Sequence, residues 1–192
     1  MKEEYIKIDS PLKLQLFMDK YINYGFVDNK GKIYKDPTSK EWRENWYPTC
    51  IVQDGDGILS TGYGTCWDQV ELERKWFFEH NYHFKTIFIW FEVNKPNNLP
   101  THSFLIYEEN NKYYWFEHSF EKYKGIHEFN SYNETIEYVK DKQFEYALEI
   151  GRATNADKDT IVAYEFTIPN KNCNVDQYIS SVTLNKYDNK MK

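Results

Sequence analysis

Apolar and polar positions change period several times along this chain, and the changes divide it into elements. After Ser10-Pro11, Leu12, Leu16 and the region of Ile22 form one apolar helical side. Serine is placed to cap that helix, and proline suits its first turn. Tyr24-Gly25-Phe26 should end it. Residues 26–36 are rich in turn formers, and a short helix carrying Trp42 and Trp46 is expected after Asp36-Pro37. The glycine-rich stretch 53–64 reads as an irregular loop. A second long helix should open near Cys66, because Trp67, Val70 and Phe77 return at helical spacing.

The pattern then shortens. Phe84 to Val93, Thr101 to Glu108 and Lys112 to Ser119 read as strands. A turn over Pro96 to Pro100 separates the first two, and Glu109-Asn110-Asn111 closes the last two into a hairpin. Gly125 to Phe129 reads as a compact turn. Ser131 and Glu134 have capping-box spacing for a helix running to about Ile150 and stopped by Gly151. A strand from Thr160 to Ile168, ended by Pro169, precedes a last helix opened by Asn174 and Gln177. The sum is one α+β domain over residues 1–192, an antiparallel sheet with helices segregated from it in sequence.

Composition narrows the partners. The chain is 19% aromatic, which argues against disorder, and its net charge of -6 without a basic block makes nucleic acid an improbable partner. The start lacks an apolar leader core, and the apolar run Ile87–Phe91 is too short to span a bilayer. Cys50, Cys66 and Cys173 form no short-spaced pair, so a reducing cytoplasm is the expected location and no disulfide framework is expected.

One cysteine has company. Gly62-Tyr63-Gly64-Thr65 leads tightly into the helix that Cys66 begins. A thiolate is a far better nucleophile than a thiol, and a helix N-terminus or a neighbouring imidazolium favours it. The N–H groups of that first turn also suit an oxyanion. His102, at the start of a strand, is the base expected to move the proton. Across the hairpin, paired residues should have numbers summing to about 219–221. His102 then faces Glu117, His118 or Ser119, and Glu117 is the one carboxylate within that reach. It is expected to hold the other ring nitrogen.

Tyr63-Gly64-Thr65-Cys66-Trp67, followed by Thr101-His102-Ser103-Phe104 and Trp115-Phe116-Glu117, resembles the site motifs of transglutaminase-like proteins in the papain-like superfamily. The resemblance covers about residues 60–120. It implies a nucleophile helix packed on an antiparallel sheet with flanking helices. It also implies thiol-dependent acyl transfer, through a thioester, on a peptide, protein or small amide substrate. Water as acceptor gives hydrolysis and an amine gives transamidation. Glu117 departs from the family's usual Asp or Asn by one methylene. A catalytically silent binding module on the same fold is the other reading.

Other residues carry weaker signals. Trp46, Trp67 and Trp115 are the candidate substrate contacts, and Gln53 is a guess for a second oxyanion donor. Cys50 and Cys173 read as structural. His80 and His83 are spaced like two metal ligands but lack a third, and the Asp54-Gly55-Asp56-Gly57 run has Thr65 where a calcium loop needs Glu. No metal or cofactor is expected.

Overall fold

A computed structural model describes residues 1–93, 100–167 and 172–187. The turn expected over residues 96–99, the strand end at Ile168 and the stop at Pro169 lie outside them. The first third is built from short pieces: helices α1 (Lys2–Tyr5) and α2 (Pro11–Tyr21), then strands β1 (Asn23–Tyr24), β2 (Phe26–Asp28) and β3 (Ile33–Tyr34). Helix α3 (Lys40–Thr49), strand β4 (Cys50–Ile51), helix α4 (Gly55–Thr61) and strand β5 (Tyr63–Gly64) follow. The central helix α5 (Cys66–Glu79) comes next. Strands β6 (His83–Phe91), β7 (His102–Glu109), β8 (Lys112–Glu117) and β9 (Gly125–Phe129) lead to helix α6 (Tyr132–Glu149). Strand β10 (Ile161–Phe166) and helix α7 (Val175–Val182) complete the order.

Caps explain most boundaries. The Ser10 hydroxyl accepts from the Lys13 N–H, and the Ser39 hydroxyl from the Trp42 N–H. Helix α2 ends at Tyr21, earlier than the sequence predicts, because Ile22 turns extended and feeds β1. The 53–64 stretch is not an irregular loop. The Asp54 carboxylate caps α4 by accepting from the Gly57 N–H at 2.9 Å, and Ile58 and Leu59 are buried beneath it. Gly62, at φ 71°, ends the helix in the left-handed region. Gly55 is small for another reason: a Cβ there would stand 3.1 Å from the Glu71 carbonyl oxygen. Glycine content disguised a helix whose glycines serve its cap and its close packing.

The main sheet is antiparallel with strand order β10-β6-β7-β8-β9. Asn110 and Asn111, both at positive φ, close β7 and β8 in a two-residue loop. Leu105 faces Phe116 and Ile106 faces Trp115, the upper end of the expected register. Residues 125–129 are a strand rather than a turn, pairing with β8 from Tyr113↔Phe129 to Glu117↔Gly125.

Each face of the sheet has its own core. Phe88, Leu105, Tyr107 and Phe116 pack with Trp67, Val70 and Phe77 of α5. Ile87, Ile89, Phe104, Ile106 and Trp115 pack with Ile136, Val139 and Ala147 of α6. His102 and Glu117 are in phase with the second set, since residue i and residue i+2 share a face. Cys66 arrives with the helix on the first. The two sets meet where β7 begins and β8 ends. Among the described residues no helix is long and apolar enough to cross a membrane.

Candidate active site

The turn before Cys66 is locked by its own hydrogen bonds. β5 pairs in parallel with β1, setting Tyr24 beside Gly64. Asp68, one turn into α5, accepts from the Thr65 N–H at 2.8 Å, the Thr65 hydroxyl at 2.7 Å and the Gln53 N–H at 2.7 Å. Burial nonetheless pushes its pKa up to about 6 against those donors. The N–H groups of Cys66 and Trp67 fall in the helix's first turn, where no intrahelical acceptor exists.

Cys66 is 8% exposed and borders a cleft of about 730 Å³. Its sulfur lies near the His102 ring and helps to raise the ring's pKa. The opposite side of that ring is taken: Nε2 donates to Glu117 Oε2 at 2.6 Å, which leaves Nδ1 for the thiol. The indole N–H of Trp67 donates to the Thr101 hydroxyl at 3.1 Å, tying α5 to the residue before His102.

Glu117 lies directly across from Phe104, not from His102, if the ladder of β7 and β8 is continued by one pair. It reaches the imidazole along the diagonal, a longer span than a direct cross-strand pair. The extra methylene of Glu is what this register requires. Its carboxylate is fully engaged. Oε2 also accepts from the Trp115 indole at 3.1 Å, and Oε1 accepts from the Phe120 N–H at 2.7 Å and the Ser119 hydroxyl at 3.0 Å. Four donors fix both its position and its charge.

These contacts decide the protonation of His102. Burial disfavours charge on the ring, but the Glu117 carboxylate and then Cys66 outweigh it and hold the pKa up at about 10. Burial likewise opposes charge on Glu117, and His102 with the N–H of Phe120 holds its pKa below the usual carboxylate value. Glu73, buried on the same helix, is different: burial and then Glu117 raise its pKa well above the usual value. One of its oxygens, Oε2, has no hydrogen-bond partner.

The other predicted contacts separate. Trp46 and Trp67 line the cleft, with ring centroids 5.4 Å apart. Trp115 does not line it: the indole is fully buried in the α6-side core and holds Glu117. Gln53 is committed elsewhere, its amide donating to the Tyr63 carbonyl and accepting from the Thr61 hydroxyl. Cys50 and Cys173 are buried, and burial raises both thiols, Cys173 to about 11. His80 Nδ1 meets the Trp76 carbonyl and His83 Nδ1 meets Glu108.

Tyr24 and Gln69 escaped the sequence reading. Tyr24 lines the cleft with Cys66. It is 40% exposed overall, although protein surrounds its hydroxyl end closely enough to disfavour charge there. Burial, then the neighbouring Cys66, push its pKa well above the ordinary tyrosine value, so it stays a neutral donor. His118 faces away from the cleft and meets Gln69 Oε1 at 2.7 Å, while the Gln69 amide donates to the Gly64 carbonyl at 2.8 Å. This relay ties the strand of Glu117 to the turn before Cys66. Comparison with protein-family models, curated proteins and solved structures finds no match.

Proposed function

We propose that this chain is a thiol-dependent acyl-transfer enzyme of the transglutaminase-like, papain-type kind, working in a reducing compartment. Cys66 is the nucleophile, His102 moves the proton and Glu117 orients and charges His102. The observation that carries this reading is His102 itself, held between the Cys66 sulfur and the Glu117 carboxylate at the edge of an open cleft.

The chemistry follows from that order. The Cys66 sulfur attacks an amide carbonyl, and charge developing on oxygen is met by the first-turn N–H groups of α5. Tyr24, a neutral hydroxyl lining the same cleft, supplies the second donor. The C–N bond then breaks, and the proton carried by His102 goes to the leaving nitrogen. Water or an amine attacks the thioester, its proton returns to the ring, and the sulfur is released.

The test is selective labelling. At pH 7, limiting iodoacetamide should modify Cys66 well ahead of Cys50 and Cys173, which are 1% and 2% exposed. Cys66→Ala should abolish turnover of peptide amides. Equal labelling of all three thiols in the folded protein, or none at Cys66, overturns the proposal.

A further inference from the structure

The walls of the cleft differ in charge from the rest of the molecule. The chain carries 30 acidic residues and a net charge of -6, yet no Asp or Glu lines the cleft among the described residues. Two of the chain's three arginines do line it, Arg43 from α3 and Arg152 from the end of α6. Arg43 donates to the Thr38 carbonyl through Nη1 at 2.8 Å and helps to lower the pKa of nearby Asp36, but no ion pair ties up its guanidinium among the described residues. Arg152 is exposed and has no ion-pair partner among the described residues. A guanidinium without an ion pair, in a wall that holds no acid among the described residues, is a fork for a carboxylate.

Much of the remaining lining is apolar or aromatic. Four of the six tryptophans border the cleft. Trp42 and Trp46 stack with centroids 5.8 Å apart and planes 7° off parallel, and Trp67 continues the row. Such rings bury apolar groups at low entropic cost. A basic partner would find no carboxylate among the described lining residues, and a wholly apolar one would leave both guanidinium groups without a ligand.

We propose that the cleft receives an acidic peptide segment, its carboxylates meeting Arg43 and Arg152 and an apolar side chain lying on the tryptophan row, with an amide carbonyl presented to Cys66. This deepens the acyl-transfer reading and rests on it for the role of Cys66 alone. Recognition of the acidic segment stands or falls separately.

Binding to the full chain carrying Cys66→Ala isolates the two questions, because no acyl chemistry is needed. Three fluorescein-labelled octapeptide pools with a central Phe-Gln serve as probes, their flanking positions filled by Asp/Glu, by Asn/Gln or by Lys/Arg. The acidic pool is expected to bind about tenfold or more tightly than the amide pool, as for charge-assisted hydrogen bonds. Arg152→Gln and Arg43→Gln should each weaken the acidic pool by about three- to tenfold and leave the amide pool unmoved. Both arginines are exposed, so folding should be untouched, which circular dichroism checks. Arg152→Lys should restore part of the preference. Equal binding of the acidic and amide pools, preference for the basic pool, no binding by any pool, or unchanged acidic binding in the double Arg→Gln variant overturns the proposal. A wild-type enzyme that binds the acidic pool yet never labels at Cys66 removes the acyl-transfer reading and leaves this one standing.

Discussion

His102 and His118 are nearly equally buried, at 4% and 3% exposed, on strands that lie side by side or just beyond one. Their chemistry is opposite. His102 has a carboxylate at 2.6 Å and holds its proton to about pH 10. His118 has an amide oxygen at 2.7 Å, and Asp19 only at an offset 3.4 Å, without hydrogen-bond geometry at Nε2. Burial and then Lys124 push its pKa down to about 4. Desolvation acts on both rings alike. The charge of the first partner decides which one is a cation, and only that cation lies beside the thiol.

The sharpest way to break this contrast is to take the charge from Glu117. Glu117→Gln keeps the shape but not the carboxylate, so the His102 pKa should fall well below 10, with Cys66 left to support it. Turnover should fall about 10³-fold or more, the scale seen when a triad carboxylate becomes an amide. Histidine NMR titration and kcat/KM on one preparation read both effects. An unshifted His102 pKa in that variant, or unchanged turnover, would show that Glu117 does not govern the site.

Stability should also separate the two rings by pH. His102, raised, contributes stability that is full below the unfolded pKa of about 6.5 and is lost as pH rises through about 10. His118, depressed, behaves in the reverse sense at acid. The unfolded chain takes a proton near pH 6.5 that the native ring refuses until about 4, so stability falls across that window. Asp68, raised to about 6, runs against it over the same range. The difference between wild type and His118→Asn therefore isolates the ring. Between pH 7 and pH 4.5 wild type should lose about 2–3 kcal/mol more than the variant. Urea unfolding at the two pH values measures it, and parallel curves would mean His118 is not held neutral.

What the sequence makes legible, and what it hides, follows from range. Caps and alternation are local, so α5, the hairpin and the set Cys66, His102 and Glu117 can be read from spacing. The diagonal reach of Glu117 needs the register to one residue, which turn chemistry narrows without settling. β9 and α4 were misread because Gly125 and the glycines of 53–64 carry turn composition into a strand and a helix. Trp115 reads as a cleft residue until its phase with Glu117 turns it into the core. Tyr24, Gln69 and the cleft arginines meet their neighbours only in the fold. Nothing local in Gln69 says that His118, 49 residues later, will lie against it.

The smallest expected effect is the most direct reversal. Gln69→Glu places a carboxylate where His118 now meets an amide oxygen at 2.7 Å. If the partner's charge rules, His118 should gain about one to three pKa units, the usual effect of an adjacent opposite charge. The change has a cost, because the Gln69 amide also donates to the Gly64 carbonyl and a carboxylate cannot. That loss should be about 1 kcal/mol, and it loosens the turn before Cys66 only slightly because Asp68 still holds Thr65. A competing outcome is physically distinct: burial could push the new carboxyl's pKa up, as it does for Glu73 on the same helix, so that the carboxyl takes the proton and His118 stays neutral. Then His118 would still titrate near pH 4, and the rule drawn from His102 would depend on the four donors that keep Glu117 ionised rather than on the presence of a carboxylate alone.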